Sequence, residues 1–122
     1  MDRRAGMGAM KLTVPIDEDG QVDSRFGRAA RMAVGTVTDG GQLADWQVYD
    51  VGWDVLHDQS AHGQHHARVV RFLKDNEIDR VVFVQAGQSM LHTIDKMGLL
   101  MVQAPVMDAK DAVIQAAALQ EG

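Results

Sequence analysis

The 122-residue chain contains no cysteine, and this absence excludes several kinds of site. Without thiols the protein has no disulfide, no thiolate nucleophile and no cysteine-anchored zinc or iron-sulfur centre. Histidine and methionine are the soft metal ligands that remain.

Basic residues and long apolar runs are also scarce. Lysine and arginine number 12 against 17 aspartate and glutamate residues, which gives a net charge of −5. Because nonspecific nucleic-acid binding depends on many basic contacts to phosphates, this charge argues against nucleic acid as a partner. No apolar run approaches the ~20 residues of a membrane span, and the first ten residues lack a signal core. We therefore expect no membrane partner and a cytoplasmic location.

Hydrophobic residues make up 46% of the chain, enough to bury the core of one domain. We expect that domain over residues 10–122, after a flexible tail of residues 1–9. Apolar patterning predicts five strands, at 11–16, 31–38, 42–51, 80–84 and 99–102. It also predicts three helices, at 61–76, 90–97 and 108–119.

The order of these elements predicts an α/β fold. Asp-Gly-Gly at 39–41 predicts a hairpin between the second and third strands. The later strands alternate with helices, which favours parallel pairing. The sequence therefore predicts a three-layer architecture with a mixed five-stranded sheet and helices on both faces.

Open α/β sheets bind ligands at the carboxyl ends of their strands. Three polar segments should converge there, at residues 17–28, 57–66 and 85–89.

Four of the five histidines lie within ten residues: His57, His62, His65 and His66. On a helix the last three share one face, and that face continues into the apolar stripe of the same helix. A helix N-terminus disfavours imidazolium, so neutral rings suited to metal binding are expected. These four histidines are the predicted metal ligands. The alternative is that they are solvated side chains in the first helical turn, or that one of them caps a carbonyl.

Residues 25–28, Arg-Phe-Gly-Arg, lie beside this region. Two guanidinium groups and a glycine suit an anion clamp, with Arg25, Phe26, Gly27 and Arg28 as its residues. The alternative is that Phe26 fills the core while the arginines face water or neutralise the acidic loop at 17–23.

A strand-to-helix turn follows the fourth strand, at Gly87, Gln88 and Ser89. Its backbone N–H groups predict a further contribution to anion binding. The acidic residues at 17–23 lack the spacing of a calcium loop and favour a solvated turn.

Several segments together resemble one known family. Residues 14–17 (Val-Pro-Ile-Asp), residues 23–29 (Asp-Ser-Arg-Phe-Gly-Arg-Ala), the apolar hairpin and residues 78–82 leading to Gly87 carry the resemblance. The chain resembles the dinitrogenase iron-molybdenum cofactor-binding family from about residue 10 to residue 119, and Phe-Gly-Arg-Ala is the most distinctive element.

The resemblance implies a ribonuclease H-like fold without that enzyme's catalytic acids. It also implies a non-enzymatic carrier, related to nitrogen fixation, for an iron-molybdenum cofactor, its precursor or a related metal-sulfur cluster. The partners would be the proteins that donate and accept the cluster. Two alternatives remain open: a ligand-free interaction or regulatory module on the same fold, and a metal-dependent hydrolase that uses the same histidines.

Overall fold

The computed structural model describes residues 9–59 and 62–120, with the backbone alone at residue 62. The predicted tail lies outside the described residues except for residue 9. The strands are β1 (Met10–Ile16), β2 (Arg31–Val37), β3 (Leu43–Asp50), β4 (Arg80–Phe83) and β5 (Leu100–Gln103). The helices are α1 (Trp53–Gln59), α2 (His62–Asp75), α3 (Gln88–Lys96) and α4 (Ala109–Ala118), with a short 3-10 helix at Phe26–Arg28.

The five strands form one mixed sheet in the order β3-β2-β1-β4-β5. Strand β2 runs antiparallel to both β1 and β3, whereas β1, β4 and β5 are parallel. The predicted mixed sheet of five strands is confirmed, and its order is compatible with the ribonuclease H-like label. The hairpin also occurs as predicted, because Gly41 takes a φ of +85° that few other residues tolerate.

Helices cover both faces of the sheet, which confirms the three-layer architecture. On one face Trp53 of α1, Val69 of α2 and Met90 of α3 join a single apolar cluster with strand residues. On the other face Ala112 and Val113 of α4 pack in a second cluster. Alternate residues of β4 enter the two clusters, since a strand points successive side chains to opposite faces.

Helix α1 was not predicted. Its seven residues carry few apolar side chains, too few to produce a helical period, and Trp53 is its one buried residue. The backbone enters this helix through Gly52, whose φ is +64°. The amides of Gly52 and Trp53 donate to the carbonyls of Ala30 and Ala29, which fixes the start of α1 beside β2.

The other helix boundaries follow signals in the sequence. Gly87 is the N-cap of α3, and Gly98 follows its end with a φ of +78°. The Asp108 carboxylate accepts a hydrogen bond from the Asp111 amide and caps α4 as predicted. None of the described helices has the length and apolar character needed to cross a membrane.

Candidate functional site

The carboxyl ends of β1 and β4 meet at one edge of the sheet. The segment after β1 returns to this edge at residues 25–28, which are named the arginine turn below. The Phe26 amide donates to the Gln85 carbonyl at 3.2 Å, and Arg25 forms a parallel bridge with Gln85. The chain therefore places the arginine turn beside the segment that leads from β4 into α3.

Phe26 anchors the arginine turn in the core. Its side chain is 1% exposed and meets the Trp53 ring edge-on, with 6.1 Å between ring centroids. Phe26 therefore fills the core, as the alternative interpretation of the sequence stated. Because Phe26 points inward, the flanking Arg25 and Arg28 lie at the surface.

Both guanidinium groups of the arginine turn are partly open to solvent, with side chains 61% and 48% exposed. Arg25 Nε lies 3.5 Å from Asp23 Oδ1, at the limit of a hydrogen bond. Arg28 Nη1 lies 3.2 Å from Asp58 Oδ1 on α1. The Arg28–Asp58 pair is exposed and therefore weak, whereas Asp23 is largely buried and holds Arg25 only at the long distance of 3.5 Å. Both guanidinium groups therefore remain accessible to an anion.

His65, from α2, is buried beneath the arginine turn with 3% of its surface exposed. Its Nε2 lies 2.7 Å from the Gly27 carbonyl oxygen, which can only accept a hydrogen bond. Arg68 Nη1, which can only donate, lies 3.1 Å from Nδ1. These partners require a neutral ring that carries its proton on Nε2.

The surroundings favour this neutral form. Burial lowers the pKa of the His65 imidazole, and the charges of His57, Arg68 and His66 lower it further. The hydrogen bond to the Gly27 carbonyl acts in the opposite direction but does not reverse the shift. Since both ring nitrogens are hydrogen-bonded, neither is open to a metal ion in this arrangement.

The other predicted histidine ligands differ in position. His57 on α1 meets the His65 ring edge-on at 5.0 Å between centroids, and its side chain is 34% exposed. His66 is half-buried on α2 and faces the same cavity. The side chain of His62 lies outside the described residues. Across residues 9–59 and 62–120, no group of three or more His, Asp or Glu side chains is arranged to hold a metal ion.

The predicted turn before α3 contributes backbone to the site. Gly87, the N-cap residue, has no side chain to accept hydrogen bonds from the first amides of α3. A Cβ atom at this position would meet no atom within 4 Å. The polypeptide is therefore open to the surface at the point where α3 begins. Ser89 follows along the same wall, whereas Gln88 is exposed and lines neither of the two cavities described next.

Two cavities occupy this edge and share Gly27, His57 and Gly87. The first, here called the histidine cavity, has a volume of about 230 Å³. The second, the arginine cavity, has a volume of about 360 Å³. Residues of the histidine cavity are Gly27, His57, His65, His66, Gly87, Ser89 and Met90. Those of the arginine cavity are Ser24, Arg25, Phe26, Gly27, Arg28, His57, Gln85, Ala86 and Gly87.

The sequence placed Gln85 in the segment 85–89 expected at this edge, but it did not single out Met90 or Arg68. Met90 is the first residue of the helix predicted at 90–97, and it is buried while also lining the histidine cavity. Arg68 follows His65 by three residues, a spacing that places two helical side chains side by side. That spacing could have identified the pair.

A third cavity, of about 400 Å³, lies beside the acidic loop and is lined by Asp17, Glu18, Asp19, Asp23 and Asp54 among others. Asp17 Oδ1 accepts hydrogen bonds from the amides of Asp19 and Gln21, both at 2.9 Å. This carboxylate stabilises the turn, as the sequence predicted for the loop.

Comparison with known families identifies the chain. The family model named dinitrogenase iron-molybdenum cofactor matches residues 9–119. The chain belongs to this family. The resemblance found in the sequence is thereby confirmed.

Solved structures share the fold of this family member at low sequence identity. PH0822 has 18% identity and a TM-score of 0.69, with 88% of each chain covered. The apo form of the orange protein from Desulfovibrio gigas has 20% identity and a TM-score of 0.63, covering 88% of this chain and 82% of that one. A protein from Methanocaldococcus jannaschii has 11% identity and a TM-score of 0.61, with coverage of 88% and 90%. Among curated proteins no match was found.

Proposed function

We propose that this protein is a non-enzymatic carrier that binds an iron-molybdenum cofactor, its precursor or a related metal-sulfur cluster at the histidine and arginine cavities. The observation that carries the proposal is the shared wall of the two cavities. Gly27, His57 and Gly87 belong to both, so one bound group would touch an imidazole, the arginine turn and the start of α3.

The chemistry of these walls suits an anionic cluster that brings its own sulfide. Arg25 and Arg28 offer planar donors to anionic oxygen or sulfur, and their carboxylate partners hold them weakly. The N-terminus of α3, beginning after the open backbone of Gly87, adds partial positive charge.

The histidines in this proposal have different roles from those given by spacing alone. His57 is the foremost candidate ligand, because it lines both cavities and its side chain reaches solvent. His66 is the second, because it is half-buried and lines the histidine cavity. One or two imidazole ligands without a thiolate would bind a cluster weakly enough to release it, which suits transfer between a donor and an acceptor protein.

The test is an anaerobic titration of the protein with isolated iron-molybdenum cofactor, followed by visible absorption. We expect saturable binding by the wild type and weaker binding by the His57→Ala/His66→Ala variant. His92→Ala is the matched control, because His92 is an exposed histidine on α3 that lines neither cavity.

Two results would count against the proposal. If the wild type leaves the spectrum of equimolar cofactor unchanged, the chain is not a carrier of this cofactor, and a ligand-free interaction module becomes the better interpretation. If the double variant and the His92→Ala control bind equally well, binding occurs without the two imidazoles and their ligand role is wrong.

A further inference from the structure

The hydrogen bond from His65 joins two segments that are 38 residues apart in the chain, helix α2 and the arginine turn. At 2.7 Å it is shorter than the backbone bonds that tie the turn elsewhere. The Phe26 amide lies 3.2 Å from the Gln85 carbonyl, and the Arg28 amide lies 3.3 Å from the Arg25 carbonyl. The bond from His65 is therefore shorter than the backbone bond that joins this turn to the segment after β4.

The same ring packs against the walls of the site. The His57 ring meets it edge-on at 5.0 Å, and the Trp53 ring meets it edge-on at 6.0 Å. His57 and Trp53 both belong to α1, so the imidazole sits between α1, α2 and the arginine turn. A change at this ring would reach the Gly27 backbone and the His57 side chain together.

We propose that His65 is a positioning residue that holds the arginine turn and His57 at the mouth of the cluster site, and that it does not ligate the cluster. The inference rests on the proposed function, because it names what keeps that site in shape. A ligand role would require His65 to give up either the Gly27 carbonyl or the Arg68 guanidinium, each of which lies within hydrogen-bond distance.

Glutamine and asparagine at position 65 can distinguish a positioning role from a ligand role. Each of these amide side chains can reproduce the hydrogen bond of one ring nitrogen. The amide nitrogen of glutamine lies near the position of Nε2 and can donate to the Gly27 carbonyl, so His65→Gln keeps the tie to the turn. Asparagine is shorter and reaches the position of Nδ1, so His65→Asn keeps a partner for Arg68 but loses the tie. Neither amide ligates a metal as imidazole does.

The experiment measures two quantities on each variant. The first is affinity for isolated iron-molybdenum cofactor under anaerobic conditions. The second is amide hydrogen exchange at residues 26–28 in the cofactor-free protein. We expect His65→Gln to bind within about threefold of the wild type and to keep slow exchange. We expect His65→Asn to lose affinity by about tenfold, the effect of one lost hydrogen bond, and to exchange faster.

Further variants guard against a simple loss of folding. His65→Phe keeps a ring of similar size in the core and removes both hydrogen bonds, so it should behave as His65→Asn does. Arg68→Met removes the donor to Nδ1 and leaves the bond to Gly27, so it should behave as the wild type. Urea unfolding of all four variants shows whether any change in affinity merely follows stability.

The possible outcomes are distinct. Equal loss of affinity in His65→Gln and His65→Asn, with slow exchange kept in both, would indicate that the imidazole is a ligand and would overturn the inference. Equal exchange at residues 26–28 in the two variants would also overturn it. Failure of the wild type to bind the cofactor would count against the proposed function, while the exchange measurement would still decide whether His65 holds the turn.

Discussion

Two buried basic side chains, His65 and Arg80, lie at opposite ends of the sheet and are stabilised in the same way. His65 donates to the Gly27 carbonyl at 2.7 Å beside the site. Arg80, at the start of β4, donates through Nη1 to the carbonyls of Ala116 and Leu119 at 2.6 and 2.7 Å. Within the described residues, no buried side-chain nitrogen or oxygen lacks a hydrogen-bond partner.

The difference lies in what each side chain holds. Arg80 satisfies the carbonyls at the end of α4, where a cation also interacts favourably with the helix dipole. This end of the sheet carries no predicted site residue, so Arg80 serves the stability of the fold. His65 holds a surface turn that carries two exposed cations. The comparison indicates that a buried polar group can serve the fold at one end of the sheet and the shape of a site at the other.

Substitution at Arg80 should have the largest effect on stability. Arg80→Met removes the donor to the buried Ala116 carbonyl and to the partly buried Leu119 carbonyl. We expect a loss of about 2–4 kcal/mol in the free energy of unfolding, measured by urea denaturation. Affinity for the cofactor should not change in the folded variant. If Arg80→Met were as stable as the wild type, or if it lost cofactor affinity while folded, Arg80 would not differ from His65 in serving only the stability of the fold.

Removal of both cations from the arginine turn should lower cofactor affinity and leave stability nearly unchanged, the reverse of the effect expected for Arg80→Met. In Arg25→Gln/Arg28→Gln, we expect cofactor affinity to fall by about tenfold or more, because charged hydrogen bonds to the anion are lost. Stability should change by less than about 1 kcal/mol, since the Arg28–Asp58 pair is exposed and Arg25 Nε lies 3.5 Å from the largely buried Asp23 carboxylate, at the limit of a hydrogen bond. Arg71→Gln, which removes an exposed cation of α2 away from both cavities, is the matched control. Equal affinities for the double variant and this control would show that the turn is not an anion clamp.

The neutral state of His65 predicts a pH dependence. Because folding lowers the pKa of this imidazole, the unfolded chain binds the proton more readily than the folded one. The contribution of the neutral His65 ring to the free energy of unfolding is therefore fully present above the pKa of histidine in the unfolded chain, about 6.5. This contribution declines as the pH falls below that pKa. Between about pH 7.5 and 5.5, the urea midpoint should decline more in the wild type than in His65→Gln. Parallel declines in the two proteins would mean that His65 does not titrate as described.

The smallest expected effect concerns Asp58, which shares Arg28 with the site. Asp58→Asn removes the carboxylate 3.2 Å from Arg28 Nη1 and leaves that guanidinium more available to an anion. We expect cofactor affinity to rise by about twofold, with a stability change of less than about 1 kcal/mol. A fall in affinity would indicate that Asp58 orients Arg28, or His57, whose Nδ1 lies 3.4 Å from the same oxygen, and does not compete with the cluster.

Much of the fold could be predicted because each strand and the longer helices leave local signals. The hairpin follows from Asp-Gly-Gly, and α3 ends before a glycine that accepts a positive φ. Helix α1 could not be predicted, because its seven residues are fixed by backbone bonds to Ala29 and Ala30 and by the burial of Trp53. These contacts depend on where β2 lies in space.

The position of the candidate site in the fold could be predicted from the sequence, but the roles of its histidine side chains could not. The sheet rule predicts that residues 17–28, 57–66 and 85–89 converge on one edge, and helical spacing directs His65 inward. Of the described residues, Arg25, Arg28, His57 and Gly87 line the two cavities there, whereas the acidic loop at 17–19 lines a separate cavity. The hydrogen-bond partner of His65, however, is the Gly27 backbone, 38 residues away. Helical spacing shows that His65 points toward the core. It cannot show that a backbone carbonyl from a distant segment accepts a hydrogen bond from the ring nitrogen.

The most direct test of the cluster site is to map which backbone amides respond when isolated iron-molybdenum cofactor is added to isotopically labelled protein. We expect the NMR signals of Gly27, Arg28, Gly87 and Ser89 to change first and to saturate together, while those of α4 stay constant. Changes centred on the acidic loop at residues 17–19, or spread over both faces of the sheet, would contradict this expectation.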